Sequence, residues 1–265
     1  MQPKPESYST YYAETFKDPK VVDDYRHRPP YPAAVFDILV GLITDRPRAV
    51  LDVGAGSGDI ARHLIEHVER IDAVDFSQSM IERGRQLPRG NHPNLHWIYG
   101  KVEDAPLSPP YALITAGSSI HWPEWDIAFP RFRSMLTPNG YLALIYRRAL
   151  PMPWDDELRA LREQFSARRG HRPDSVAGDL EQRGFFRRLG EQKTDPVPFK
   201  QTIDDFIDGL HSRSACSRER MGPQQAAEFD QQLRTLLFRY HPDGRLPLQI
   251  VGTVTWGKPE RGYAE

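Results

Sequence analysis

The chain has 265 residues, of which 39% are hydrophobic and 27% charged, and a formal net charge of −1, the profile of a globular chain able to bury a sizeable core. The near-zero charge argues against a nucleic-acid or membrane surface, and no apolar run approaches the ~20 residues of a membrane span. The single cysteine, Cys216, excludes an intrachain disulfide and reads as a small packed residue; with no apolar leader in MQPKPESYST, the expected compartment is the reduced cytoplasm.

Residues 1–30 are rich in aromatics (Tyr8, Tyr11, Tyr12, Phe16, Tyr25) and end in the proline-stiffened RHRPPYP. This stretch has no strand to join and is expected to cap a site. A helix can start after Pro32, with Val35, Ile38, Leu39, Leu42 and Ile43 on one face. AVLDVGAG is a strand-type run, Asp59 to Val68 a helix, IDAVDF a second strand, and SQSMIERGRQL a second helix with Ser77 as N-cap. LHWIYG and YALITAG are the third and fourth strands. WDIAFPRFRSML is a helix disturbed at Pro130, TPNG a turn, and YLALIYR the fifth strand. This alternation predicts a parallel sheet with helices on both faces. Beyond residue 150 the rhythm becomes helical around Trp154–Phe165, Ile203–Leu210 and Phe229–Tyr240. RLPLQIVGTVTWG then alternates as a half-buried strand, with FKQTI as its partner. The expected organisation is a cap over 1–30, a ligand-binding core over 31–150, a mostly helical lid with a late strand over 151–240, and a final strand within 241–265. The arginine pairs 147-148, 168-169 and 187-188 read as solvated faces, because acids are interleaved with them.

The run VLDVGAGSGD, residues 50–59, ends a strand in Gly54, Gly56 and Gly58. Open parallel sheets bind nucleotides at such a strand–turn–helix corner, outside the carboxyl ends of the strands. The dinucleotide fingerprint G-x-G-x-x-G needs a small residue where Asp59 stands. The spacing here is G-x-G-x-G, which disfavours nicotinamide and flavin dinucleotides. An acid at Asp52 also suits a ligand ammonium better than a pyrophosphate. Asp75, closing the second strand about 20 residues beyond the glycines, is placed to accept hydrogen bonds from both ribose hydroxyls; a helix-end charge is its alternative role.

Together, VLDVGAGSGD, IDAVDFSQSMIERGR, WIYGKVEDAPL, YALITAGSSIHW and LTPNGYLALIY, across roughly residues 48–148, resemble the class I S-adenosylmethionine-dependent methyltransferases. The flanks VVDDYRHRPPYP and GLHSRSACSRERMG resemble their bacterial and fungal small-molecule branch, which includes trans-aconitate-type enzymes. The resemblance implies a Rossmann-like α/β fold, a seven-stranded and mostly parallel sheet with its last strand antiparallel, and S-adenosylmethionine as cofactor with no metal. It implies that Gly54, Ala55 and Gly56 pass under the methionine part and that Asp75 holds the ribose. Phe76 and Met80 would flank the adenine, with Val102 and Glu103 at its edge and Ala116 and Gly117 near the methyl group. Tyr25 and Arg28 would descend from the N-terminal segment, Arg28 toward the cofactor carboxylate. Phe76 and Met80 fit an apolar core equally well.

Methyl transfer is a displacement at a carbon that the sulfonium activates, so the protein mainly aligns the nucleophile and excludes water. SSIHWPEW, residues 118–125, follows the fourth strand, where the acceptor would face the methyl group. Enzymes that methylate exocyclic amines of nucleic acids carry an acid-Pro-Pro-aromatic motif there. This chain has Gly117-Ser118-Ser119-Ile120-His121 instead, and its PPY at 29–31 follows Arg28, not an acid. The expected partner is therefore a small-molecule acceptor reacting through a hydroxyl or carboxylate oxygen, without nucleic acid or membrane, on a monomer or weak homodimer. His121 is either a base poised for neutral pH or a wall residue. Tyr12, Trp122 and Arg147 are the other candidate substrate contacts; Trp122 and Trp125 fit packing of the next helix equally, and Arg147 fits a solvated face. N-methylation, S-adenosylmethionine binding without transfer, and nicotinamide-dependent oxidoreduction are the alternative readings.

Overall fold

The computed structural model describes residues 4–166 and 175–263; the Arg168-Arg169 pair lies outside the described residues. The N-terminal segment forms short helices, α1 (Thr10–Ala13) and α2 (Pro19–Asp24), and a 3-10 turn at Tyr25–His27. Asp18 caps α2 by accepting from Lys20 N, with Pro19 in the first turn. As the sequence predicts, α3 (Ala33–Leu42) starts directly after Pro32 and buries Val35 and Leu39.

The alternating part follows as β1 (Ala49–Val53), α4 (Ala61–Leu64), β2 (Arg70–Asp75), α5 (Gln78–Gln86), β3 (Leu95–Tyr99), β4 (Tyr111–Gly117), α6 (Trp125–Met135) and β5 (Leu136–Ala149). The helix expected over Asp59–Val68 is shorter, because the glycine turn extends to Ile60 and a 3-10 turn takes Ile65–His67. Ser77 caps α5 as expected, accepting from Met80 N at 3.2 Å. TPNG is not a free turn. It lies within β5, where the register jumps from Tyr111↔Leu136 to Leu113↔Tyr141 and so accommodates Thr137–Gly140.

Then come α7 (Asp155–Phe165), α8 (Val176–Gln182), β6 (Phe186–Lys193), β7 (Val197–Thr202), α9 (Ile203–His211), α10 (Arg218–Met221), α11 (Pro223–Tyr240) and β8 (Arg245–Pro259). The sheet order is β3-β2-β1-β4-β5-β8-β6, with β7 also paired to β8. Pairings among β1 to β5 are parallel, whereas β8 runs antiparallel to β5, β6 and β7. The sheet is thus Rossmann-like and mostly parallel, as expected. It has eight strands instead of seven because β6 and β7 divide one long partner: β6 pairs Thr253–Pro259 and β7 pairs Arg245–Ile250.

Every residue of β1 is buried, as a strand covered on both faces requires. One apolar cluster joins Leu51, Val53 and Ile114 to Phe129 and Phe132 of α6. Another joins Val50, Leu113 and Ala143 to α3 and α4. A third unites α7, α9 and α11 with Leu246, Leu248 and Ile250 of β8, and Cys216 packs within it. Strand order reverses at β1, which has β2 on one side and β4 on the other, so the crevice for a ligand opens beyond Val53 and Gly117.

The N-terminal segment is fastened across this crevice to the helices that follow β5. Arg218 bonds Asp24 at 2.9 Å and Asp208 at 2.7 Å, and lies 3.4 Å from Asp230. Asp230 in turn meets the fully buried His211, whose other ring nitrogen contacts Cys216 O at 2.6 Å. Arg220 Nε donates to Thr15 Oγ1, and Ser77 Oγ donates to Phe16 O at 2.6 Å.

Candidate active site

Two adjoining chambers occupy the crevice. The first holds about 860 Å³ of open space, and its walls include Val53, Gly54, Gly56, Asp75, Phe76, Met80, Val102, Glu103 and Gly117. The second holds about 1410 Å³ and is lined by the N-terminal segment, the end of β5 and the helices beyond it. Phe16, Tyr25, Arg28, Ser118 and Trp122 line both.

Gly54 and Gly56 have φ of +62° and +56°, in the region where a side chain is strained. A Cβ at Gly54 would sit 2.6 Å from Ser119 Cβ, and one at Gly56 would meet only Tyr25 Oη at 4.0 Å, on the cavity side. The turn therefore brings bare backbone against whatever fills the first chamber. Asp75 locks it, accepting from Gly56 N at 2.7 Å and from Ser77 N at 2.8 Å. Burial drives the Asp75 carboxyl up to about 6, against the opposing effect of those two N–H groups.

Arg28 stacks on Tyr25, 4.0 Å from the ring centroid, and donates to Ser212 Oγ at 2.7 Å and Ser212 O at 2.6 Å. Enclosure lowers its pKa from the ordinary arginine value. No carboxylate lies within ion-pair distance of it among the described residues, so a ligand carboxylate is the natural counter-ion. Trp122 forms part of the shared wall, and its ring lies 4.1 Å from that of His121, which faces only the second chamber. Trp125 is a packing residue, its Nε1 donating to Ile120 O at 2.8 Å.

Four of the residues expected at the site line neither chamber. Asp52 is buried in the sheet, accepting from Thr115 Oγ1 at 2.8 Å; burial raises its carboxyl to about 7. Strand alternation explains this, since neighbours in β1 point to opposite faces. Ala55 and Ala116 pack into the two core clusters flanking the sheet. Tyr12 is buried against Tyr11 and Arg220. Arg147 does line the second chamber, but the solvated-face reading fails. Its side chain is only 11% exposed, bonds Asp59 at 3.2 Å and stacks 4.1 Å from the Tyr31 ring centroid. Arg148 is exposed, and Arg188 lies on an exposed face with Glu181 and Glu191 as partners.

Sequence reasoning overlooked Ser118, Ser212 and Tyr31. Ser118 has φ of +56°, rare for a residue with a side chain, and nothing in its neighbours announces this. Ser212 does stand in the GLHSRSACSRERMG flank. Burial pushes the Tyr31 hydroxyl up to about 12, so it stays protonated at neutral pH and is no base.

The methyltransferase domain family matches residues 50–140. Residues 50–140 are a class I methyltransferase domain. The chain is 36% identical over 107 residues to a malonyl-[acyl-carrier protein] O-methyltransferase of Halalkalibacterium halodurans, covering 37% of this chain and 38% of that one. It is 29% identical over 154 residues to an uncharacterized methyltransferase of Schizosaccharomyces pombe, covering 57% and 59%. The matches thus span less than two-thirds of these curated relatives. The structure of a protein assigned as a type II methyltransferase, from Anaeromyxobacter dehalogenans, superposes with a TM-score of 0.65 at 25% identity, over 87% of this chain and 97% of that one. S-adenosylmethionine is the cofactor of the class, and the methyltransferase domain here fits it. The glycine turn presents bare backbone to the first chamber, Asp75 brings a carboxylate to its wall, and Arg28 has no carboxylate within ion-pair distance among the described residues. Among the described residues no cluster of three or more metal-ligating side chains occurs, and no helix is long and apolar enough to cross a membrane.

Proposed function

We propose that the chain transfers the methyl group of S-adenosylmethionine to an oxygen, hydroxyl or carboxylate, of a small-molecule acceptor by in-line displacement. The observation that carries this is the shared wall. The chamber suited to the cofactor opens into a second chamber across Tyr25, Arg28, Ser118 and Trp122, which is the arrangement two reactants need. The Halalkalibacterium halodurans relative is named for O-methyl transfer, which favours oxygen over nitrogen.

When bound, S-adenosylmethionine supplies a methyl group activated by its sulfonium. Asp75 and the glycine turn hold the ribose and methionine ends, and Arg28 pairs with the methionine carboxylate. Trp122, Phe16 and Tyr25 exclude water from the line of attack. For a hydroxyl acceptor, His121 receives the proton as the new carbon–oxygen bond forms and the carbon–sulfur bond breaks, its electron pair passing to sulfur. A carboxylate acceptor has no proton to lose, and His121 then shapes the pocket.

Incubation of the full chain with methyl-labelled S-adenosylmethionine and pools of hydroxy acids, carboxylic acids and amines tests the reading. Label is expected in an ether or ester, with an equal amount of S-adenosylhomocysteine. Label found only in amines would overturn the choice of oxygen.

A further inference from the structure

The Tyr31 hydroxyl stands where the two chambers meet. Tyr31 lines the second chamber, and a Cβ at Gly117, on the wall of the first, would lie 3.0 Å from its Oη. Ser118, which lines both chambers, hydrogen-bonds to the phenolic oxygen in the sense that favours ionisation, so Ser118 is the donor of that pair. The Tyr31 oxygen thus already serves as an acceptor. Its own hydrogen has no carbonyl or carboxylate acceptor among the described residues and is left to face the chamber.

The ring is held as firmly as the hydroxyl is placed. Arg147 stacks on it, with Cζ 4.1 Å from the ring centroid, and is itself fixed by Asp59 at 3.2 Å. Asp59 directly follows the glycine turn. A chain of contacts therefore runs from that turn through Asp59 and Arg147 to Tyr31.

We propose that Tyr31 selects oxygen over nitrogen as the methyl acceptor by donating its hydrogen to the attacking atom, with Arg147 as the positioning residue that holds its ring. This rests on the reading of the two chambers as cofactor and acceptor sites, and deepens it. A hydroxyl oxygen has two lone pairs. One receives the Tyr31 hydrogen while the other attacks the methyl carbon, and the electron pair of the breaking carbon–sulfur bond passes to sulfur. The hydroxyl loses its proton to His121; a carboxylate oxygen attacks in the same way with no proton to lose. Tyr31 keeps its own proton throughout, because burial holds the group far above neutral pH. A neutral amine has a single lone pair. If that pair accepts from Tyr31, none remains to attack. If it points at the methyl group, the Tyr31 hydrogen is left in an enclosed site without an acceptor, which is costly. The donor that aligns an oxygen therefore penalises a nitrogen, the kind of discrimination that rests on a group left unpaired by the wrong partner.

The test uses the full chain with methyl-labelled S-adenosylmethionine and the same pools of hydroxy acids, carboxylic acids and amines, at pH 9 so that part of the amine pool is neutral. Tyr31→Phe removes one oxygen and keeps the ring beneath Arg147. It is expected to lower label in ethers and esters at least tenfold and to place label in amines, so that the ratio of oxygen to nitrogen label falls at least tenfold. S-adenosylhomocysteine affinity is expected to stay within twofold. Arg147→Gln, which frees the ring, is expected to lower the ratio at least threefold alone and less than twofold further in the Tyr31→Phe background. An unchanged ratio, a Tyr31→Phe protein that labels no amine, or one that no longer binds S-adenosylhomocysteine would each overturn the selectivity. Additive losses in the double variant would overturn the part given to Arg147. Absence of label from every oxygen acceptor with the original protein would instead overturn the reading on which the proposal rests.

Discussion

Asp75→Ala is expected to weaken S-adenosylhomocysteine binding by about 10- to 150-fold, equivalent to ~1.5–3 kcal/mol, the cost of leaving ligand hydroxyls poorly paired in a buried site. The same side chain accepts from Gly56 N and Ser77 N, so its loss also frees the glycine turn. The dependence on pH has a definite sign. Ribose hydroxyls donate to the ionised carboxylate, and burial places that group at about 6. Cofactor affinity should therefore be full at pH 8 and fall as the pH drops below about 6, and Asp75→Asn should flatten that fall. In the ligand-free protein the group acts the other way. Its folded-state pKa lies above the ordinary 3.8, so it contributes stability at low pH that is lost as the pH rises through about 6. Calorimetry across this range reads both effects. Unchanged affinity in folded Asp75→Ala would reduce Asp75 to a fastening of the loop.

His121→Asn should slow single-turnover transfer to a hydroxyl acceptor by at least about tenfold, and by up to the ~10²–10⁴-fold that a positioned base supplies, while cofactor affinity stays unchanged. Asparagine keeps a polar group near Tyr8 and Trp122, whose rings pack on His121 at 5.2 Å and 4.1 Å, and removes the basic nitrogen. With a carboxylate acceptor the same variant should react at nearly the original rate. A near-original rate on a hydroxyl would remove His121 from the chemistry and leave alignment as the main catalytic device.

The parts of this molecule that sequence exposes are those where local chemistry dictates geometry. Gly54, Gly56 and Asp75 are readable because a positive-φ turn excludes side chains and a strand end places one acid at the switch point. Ser77 and Pro32 are readable because capping is local. What stayed hidden depends on distant partners. Arg147 looks like a surface charge until folding places Asp59 beside it. Asp52 looks like a ligand contact until strand alternation turns it into the sheet. Strand β6, FRRLGEQK, is mostly exposed and shows no alternation, so only its pairing with β8 reveals it. Arg162 belongs to an amphipathic helix, where an arginine ordinarily signals a solvated face. Its unpartnered Nε becomes visible only in the fold.

The central claim is that the glycine turn and Asp75 cradle S-adenosylmethionine. Isothermal titration of the full chain with S-adenosylmethionine, S-adenosylhomocysteine and NAD tests it most directly. Saturable micromolar binding of the first two, with no heat from NAD, is the predicted result; a clear NAD signal with neither of the others would contradict it.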